Sequence, residues 1–141
     1  MKAEQIFSIA NLIAMIGWIL LAIAPRWIVT RRVILSGAIP LFLSIAYLIL
    51  IIAFFGSSEG GFGSLAGVMK LFTNEWVVLA GWIHYLAFDL VVGIWEVKDA
   101  QEKRISHWFV VPCLFLTFML GPIGFLLYSI LRLFLAKGDE K

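Results

Sequence analysis

The chain has 141 residues, of which 62% are hydrophobic and only 14% are charged, and its net charge is +2. A soluble globule of this size needs more polar surface, so the composition predicts an integral protein of a lipid bilayer. The basic residues stand at the ends of apolar segments rather than in a stripe, which gives no support to a nucleic-acid partner. A lone cysteine, Cys113, excludes an internal disulfide and is expected to be a small buried hydrophobe.

Apolar runs predict four transmembrane helices, at about 6–24, 33–55, 76–95 and 111–136. Each is close to the ~20 residues that cross a bilayer. The first run is longer than the apolar core of a signal peptide, about 7 to 15 residues, and no transit peptide precedes it, which favours a bacterial inner membrane. The predicted fold class is all-α: one polytopic transmembrane domain over residues 1–141, with the helices in a four-helix bundle.

The fourth run contains two prolines. Pro112 suits the first turn of a helix, so the helix is expected to open near Val111. Gly121 and Pro122 lie inside the run, and proline removes a backbone donor there, which predicts a kink at Gly121-Pro122.

The loops differ in charge. Basic residues concentrate in the loops after the first and third segments, whereas the glycine-rich loop, 56–75, carries only Lys70. The residues in the two basic loops are Arg26, Arg31, Arg32, Lys98, Lys103 and Arg104. The positive-inside rule then places the glycine-rich loop and both termini outside. Arg132, Lys137 and Lys141, near the C-terminus, favour the opposite orientation. Apolar residues at helical spacing predict a short interfacial helix within the glycine-rich loop.

Two ionisable residues, His84 and Asp89, interrupt the third segment in its middle. Such groups are costly at membrane depth and are functional candidates by default. On a helical wheel they lie roughly 140° apart, so they cannot pair directly and each requires a partner from another helix. We therefore expect the third helix to be the central one, surrounded by protein. The candidate partners are Asn11, Ser44, Tyr47, Thr117 and Tyr128.

Three interpretations of this pair remain open. His84 and Asp89 can be an acid and a base lining a lipophilic cavity. His84 can instead be an axial ligand of a tetrapyrrole metal. Both can also be interhelical hydrogen-bonding groups without a catalytic role. No histidine or cysteine spacing completes a dedicated metal site, so none is predicted.

Other polar and aromatic residues have ordinary explanations. Glu96, Asp99 and Glu102 alternate with basic residues after the third segment, which is typical of a solvated helix end. His107 beside Trp108 suggests anchoring at the membrane interface. Trp82 is the tryptophan that best suits a cavity wall.

Two long motifs carry a resemblance. Residues 81–93 read GWIHYLAFDLVVG, an acidic residue follows at Asp99, and residues 112–128 read PCLFLTFMLGPIGFLLY. This pattern resembles the abscisic-acid-deficient-four family of neoxanthin synthases and their bacterial relatives. The match is close over the third and fourth segments, whereas the first two match only in character.

The resemblance implies carotenoid chemistry, in which an epoxide opens and an allene forms. It casts His84 as the general base and Asp89 as the acid or as the residue that orients the acid. Trp82, Tyr85, Phe88 and Thr117 would line the substrate site. Asp99 is added because the family pattern has an acidic residue after the third helix.

Two functions follow as hypotheses. The first is an isomerase or lyase acting on a carotenoid, a retinoid or another isoprenoid, with no cofactor. The second is a non-enzymatic subunit that binds a carotenoid or tetrapyrrole pigment or belongs to a larger, photosynthetic membrane complex. Four short helices enclose little volume, so a homo-oligomer with a shared site is a further expectation.

Overall fold

The computed structural model describes residues 2–135, and this part of the chain is helical without strands. A π-helical turn, Thr30–Ile34, precedes the second helix, and a 3₁₀ turn, Phe55–Ser57, follows it. The six α-helices are α1 (Ala3–Ile23), α2 (Ala38–Phe54), α3 (Leu65–Leu71), α4 (Glu75–Glu102), α5 (His107–Leu120) and α6 (Pro122–Leu135). Helix α3 lies in the glycine-rich loop, where a short helix is predicted.

Three helical stretches are long and apolar enough to cross a membrane: Ala3–Ile23, Thr30–Ser57 and Glu75–Glu102. The chain is therefore a membrane protein. Helices α5 and α6 have 14 residues each. Such a helix is about 21 Å long, which is shorter than the ~30 Å hydrocarbon core.

Helix α4 lies between α1 and α2. It runs parallel to α1, because Trp82 contacts Asn11 near the start of both helices and Gly93 packs on Trp18 further along. Helix α2 runs the other way, since Phe54 at its end stacks on Trp76 at the start of α4. In its most apolar stretch, 56% of α4 is buried, against 28% of α1 and 17% of the stretch containing α2.

Helices α5 and α6 form a hairpin rather than one crossing helix. Near the end of α5, Thr117 bonds Glu96, whereas near the end of α6, Arg132 bonds Asp99 only one turn further along α4. In one continuous helix, Thr117 and Arg132 would lie about 22 Å apart. The chain must therefore fold back between them, and α6 returns to the end of α4 at which α5 begins.

This hairpin corrects the predicted fourth crossing. The prediction of a single helix kinked at Gly121-Pro122 is replaced by two helices that turn back at that point. Ala3 and Leu135 lie at opposite ends of α4, whereas four full crossings would put both ends of the chain on one side. Helix α5 also begins at His107, one turn before the predicted start at Val111.

Helix α4 continues about two turns beyond the predicted end at Trp95. Glu96 and Asp99 are consequently helical, with 0% and 8% of their surface exposed. The interpretation of these two carboxylates as part of a solvated helix end is wrong, because α5 and α6 cover that face of α4.

One end of the molecule is strongly basic. It includes the two loops predicted to be cytoplasmic, and the return of α6 adds Arg132 to the same end. The basic residues there are Arg26, Arg31, Arg32, Lys98, Lys103, Arg104 and Arg132. Arg132 thus no longer opposes the orientation inferred from the loops, while Lys137 and Lys141 lie outside the described residues.

Candidate functional site

The tip of the α5–α6 hairpin lies against the middle of α4. Gly121 has φ 45° and ψ −95°, a conformation that favours glycine. A methyl group at this position would lie 3.0 Å from Oδ1 of Asp89 and 3.3 Å from Oδ2. The turn therefore needs glycine for its backbone conformation and for the close approach of the carboxylate.

Tyr85 donates a hydrogen bond to a backbone carbonyl at this turn. Pro122 has no N–H, so it cannot donate to the carbonyl of Phe118, which is the normal acceptor four residues earlier. The hydroxyl of Tyr85 donates to that carbonyl at 2.8 Å instead. A backbone acceptor left free at membrane depth would cost several kcal/mol by the usual estimate. Tyr85, predicted as a wall of the substrate site, thus holds the hairpin tip beside Asp89.

Asp89 has an oxygen with no partner. Its Oδ2 atom is buried and forms no hydrogen bond with any of residues 2–135, although the residue as a whole is half-buried. Irregular backbone at membrane depth is found where protein covers it or where it lines a cavity. The unpaired carboxylate oxygen and the broken helix therefore mark this turn as the candidate site.

His84 lies on a different face of α4. Its ring stacks on Phe88 at 4.7 Å and is tilted against Tyr47 of α2 at 5.5 Å. The residue is exposed and lines a groove of about 220 Å³ between α2, α3 and α4. No hydrogen bond joins it to another of the described residues, but Tyr47, one of the candidate partners from a neighbouring helix, contacts it through its ring.

An open, apolar surface extends along α4 from His84. Phe88, Val91 and Trp95 of α4 are 59%, 48% and 36% exposed and follow one another along the helix. We call this surface the α4 strip. His84 lies on the same face of α4 as this strip, about one turn before Phe88, whereas Asp89 lies about 100° around the helix from Phe88, toward the hairpin tip. The two titratable residues thus lie on different faces of α4, and of the two His84 is the one in line with the strip.

Thr117 and Glu96 form a buried pair. The hydroxyl of Thr117 donates to Oε1 of Glu96 at 2.8 Å, and both residues are fully buried. The second carboxylate oxygen, Oε2, is buried without a partner among residues 2–135. Thr117, a predicted substrate-wall residue, is thus engaged within the protein.

Asp99 is held by three hydrogen bonds from α6. Tyr128 donates its hydroxyl to Oδ2 at 2.7 Å, and Arg132 donates Nε to Oδ2 at 2.6 Å and Nη2 to Oδ1 at 3.0 Å. These bonds saturate the carboxylate and fix α6 against α4. The structure therefore gives Asp99 a fastening contact in the hairpin, away from the tip.

Trp82 faces α1 rather than the hairpin. Its indole N–H donates to Oδ1 of Asn11 at 3.1 Å, and its ring packs against Phe7 at 5.5 Å. Among the predicted site residues, the structure brings Tyr85 and Asp89 together at the hairpin tip, with the Trp82 ring 5.4 Å from that of Tyr85, and leaves His84 and Asp99 elsewhere.

Glu96 and Gly121 were not predicted as site residues. The seven-residue spacing of Asp89 and Glu96 places them on one helical face, which is a signal that could have found Glu96. Gly121 offered the weaker signal of a Gly-Pro pair inside an apolar run.

Comparisons with known proteins identify the family. A protein-family model described as ABA DEFICIENT 4-like matches residues 5–128. Protein ABA DEFICIENT 4, chloroplastic, of Arabidopsis thaliana is 23% identical over 112 residues, which cover 74% of this chain and 51% of the relative. The chain thus spans about half the length of that relative, and no solved structure matches it. Because the family model covers the chain from α1 to the middle of α6, the chain belongs to the ABA DEFICIENT 4-like family.

Proposed function

We propose that this protein binds a carotenoid or a related isoprenoid from the bilayer and isomerises it by acid–base chemistry on the α4 strip. The observation that carries the proposal is the Asp89 carboxylate, which lies beside a broken helix in mid-membrane with Oδ2 unpaired among the described residues. An ionisable group at that depth marks a functional site by default, and discontinuous helices often form substrate sites in membrane proteins.

The surface beside Asp89 suits a long apolar substrate. Phe88 and Trp95 offer aromatic faces that open toward lipid, so a polyene can lie along the α4 strip without crossing a polar barrier. An isoprenoid would reach the strip directly from the membrane, since its apolar chain partitions there. His84, in line with the strip, and Asp89, at the hairpin tip, would then contact different parts of the bound molecule.

The reaction implied by the family resemblance is an isomerisation, so protons and electrons balance within the substrate. The epoxide C–O bond breaks, the oxygen gains a proton and becomes a hydroxyl, and a proton leaves the polyene as the allene forms. Asp89, in its protonated form, would donate to the oxygen. His84 would accept the proton from carbon, and the enzyme returns to its starting state when that proton is passed back to Asp89.

The hydrogen bonds described above support positioning roles for three of the remaining predicted site residues. Tyr85 positions the hairpin tip through the Phe118 carbonyl. Thr117 and Asp99 stabilise the α4–hairpin contact through Glu96 and Arg132. These residues are positioning residues in this proposal, while Phe88 contacts the substrate.

The test is turnover of an epoxy-carotenoid by protein in lipid nanodiscs. Violaxanthin is added, and the pigments are extracted and separated by chromatography. We expect conversion by the unchanged protein and a rate lower by about 100-fold or more in Asp89→Asn, because the variant cannot donate the proton. Glu102→Gln is the matched control, since it makes the same carboxylate-to-amide change at an exposed position of α4. Equal turnover in Asp89→Asn and Glu102→Gln would exclude Asp89 as the proton donor.

A second function is favoured by the exposed aromatic residues of the α4 strip. A non-enzymatic subunit that holds a pigment would use the same surface for binding alone. Gentle purification followed by visible absorption spectroscopy separates the two functions. If the purified protein carries a polyene whose absorption spectrum is the same in every variant and does not change on incubation, the binding subunit is favoured over the isomerase.

A further inference from the structure

A cavity at the basic end of the molecule has features of an anion site. It has a volume of about 570 Å³ and lies where α1 ends, α4 ends and α5 begins. Arg26 comes from the loop after α1, and Arg104 comes from the loop after α4. Both line this cavity, and neither forms an ion pair with any other residue in the range 2–135.

The backbone at Arg104 is held in an uncommon conformation. Its φ of 55° is the one positive value for a non-glycine residue in the described part of the chain. Non-glycine residues in such conformations tend to occur at ligand sites. The turn that contains Arg104 is fixed by the amide of Ile105, which donates to the carbonyl of Ala100 at 2.9 Å.

Neutral polar groups complete the lining. Gln101 lines the cavity from the last turn of α4, and Ser106 lines it just before α5. His107 also lines it and is fixed in place, because its Nε2 lies 2.9 Å from the carbonyl oxygen of Ala22. Arginine guanidinium groups bind phosphate oxygens in pairs of parallel hydrogen bonds, and hydroxyl and amide groups add single donors.

The outer wall of the cavity is apolar and exposed. Trp27, Trp108 and Ile23 line it while being 52%, 83% and 78% exposed. Tryptophan is enriched at the level of lipid headgroups. An anion that only diffuses in water would leave this wall unused, whereas a phosphate joined to acyl chains would cover it.

We propose that this cavity binds the phosphate headgroup of an anionic phospholipid, with Arg26 and Arg104 on the phosphate and the acyl chains along Ile23 and Trp108. Basic pockets between membrane helices are known to hold such headgroups. The site lies at the end of α4 remote from His84, and it does not depend on the proposed isomerase activity.

The experiment measures lipid retention by native mass spectrometry. Protein is equilibrated with micelles that contain phosphatidylglycerol or phosphatidylcholine. We expect preferential retention of phosphatidylglycerol and about 30-fold weaker retention in the double variant Arg26→Gln/Arg104→Gln, since each arginine near a lipid surface contributes about 1 kcal/mol. The matched control is Arg31→Gln/Arg32→Gln, which removes the same charge from exposed residues that do not line the cavity.

Three results would overturn the proposal. Equal losses in the two double variants would mean that general charge attracts the lipid. Equal retention of the two lipids would mean that no headgroup is selected. Displacement of phosphatidylglycerol by inorganic phosphate would assign the cavity to a free anion.

Unfolding curves in phosphatidylcholine alone check that both double variants are folded, which we expect because all four arginines are exposed.

Discussion

The two sides of α4 are built from different interactions. Toward α5 and α6, the contacts are buried carboxylates bonded by hydroxyl and guanidinium groups, as at Glu96 and Asp99. Toward α2, the contacts include aromatic rings, which are stacked for Phe54 on Trp76 and tilted for Tyr47 beside His84. The difference shows where each kind of contact is stable in lipid, since polar groups need the full cover of a hairpin whereas rings tolerate an open surface.

On the hairpin side, the closest packing is that of Gly124 in α6 against Thr117 in α5, and it gives the largest expected loss of stability. A methyl group at Gly124 would overlap the backbone nitrogen of Thr117, and backbone cannot move aside cheaply. We expect Gly124→Ala to lower the free energy of unfolding by about 3 kcal/mol, measured by denaturation followed through tryptophan fluorescence. Gly63→Ala is the control, because nothing lies within 4 Å of its added methyl group. Similar unfolding of the two variants would contradict the close packing of the hairpin.

The Asp99 contact gives an intermediate effect. Asp99→Asn removes the charge that binds Arg132 and weakens the bond from Tyr128. We expect a loss of about 2 kcal/mol, because the aspartate is buried but Arg132 is 37% exposed and can find water. Glu102→Gln on the same helix is exposed and should change the unfolding curve little. If Asp99→Asn unfolds like Glu102→Gln, this carboxylate does not fasten α6.

The ring contact on the α2 side gives the smallest effect. We expect His84→Phe to change the free energy of unfolding by no more than about 0.5 kcal/mol, because the side chain is exposed and stacking on Phe88 is retained. Leu86→Ala, at a position with 3% exposure, should lose about 2–5 kcal/mol in the same assay. A large loss in His84→Phe would reveal a polar contact for the imidazole and remove the contrast between the two sides.

Hydropathy predicted the three crossing stretches because about 20 consecutive apolar residues have few alternatives to spanning the bilayer. It failed for 111–136, since such a run has the same composition whether it crosses or folds back. What decides between these outcomes is the contact of Thr117 and Arg132 with neighbouring turns of α4, and such tertiary contacts leave no periodic signal.

Like the fold, the candidate site could be predicted only in part from the sequence. Asp89 stood out because it interrupts an apolar run. Glu96 did not, because Lys98 and Asp99 follow it and resemble a solvated end. The α4 helix in fact continues to Glu102, so the local sequence pattern was outweighed by the cover that α5 and α6 provide.

The bond from Tyr85 to the Phe118 carbonyl also bears on how this chain can change over evolutionary time. A lineage that replaces Tyr85 while Pro122 is present passes through a protein with a bare carbonyl in hydrocarbon. A lineage that first exchanges Pro122 for a residue with an N–H gains a second donor near that carbonyl, and Tyr85 then becomes free to vary. The order of the two substitutions, rather than their identity, decides whether the intermediate is stable.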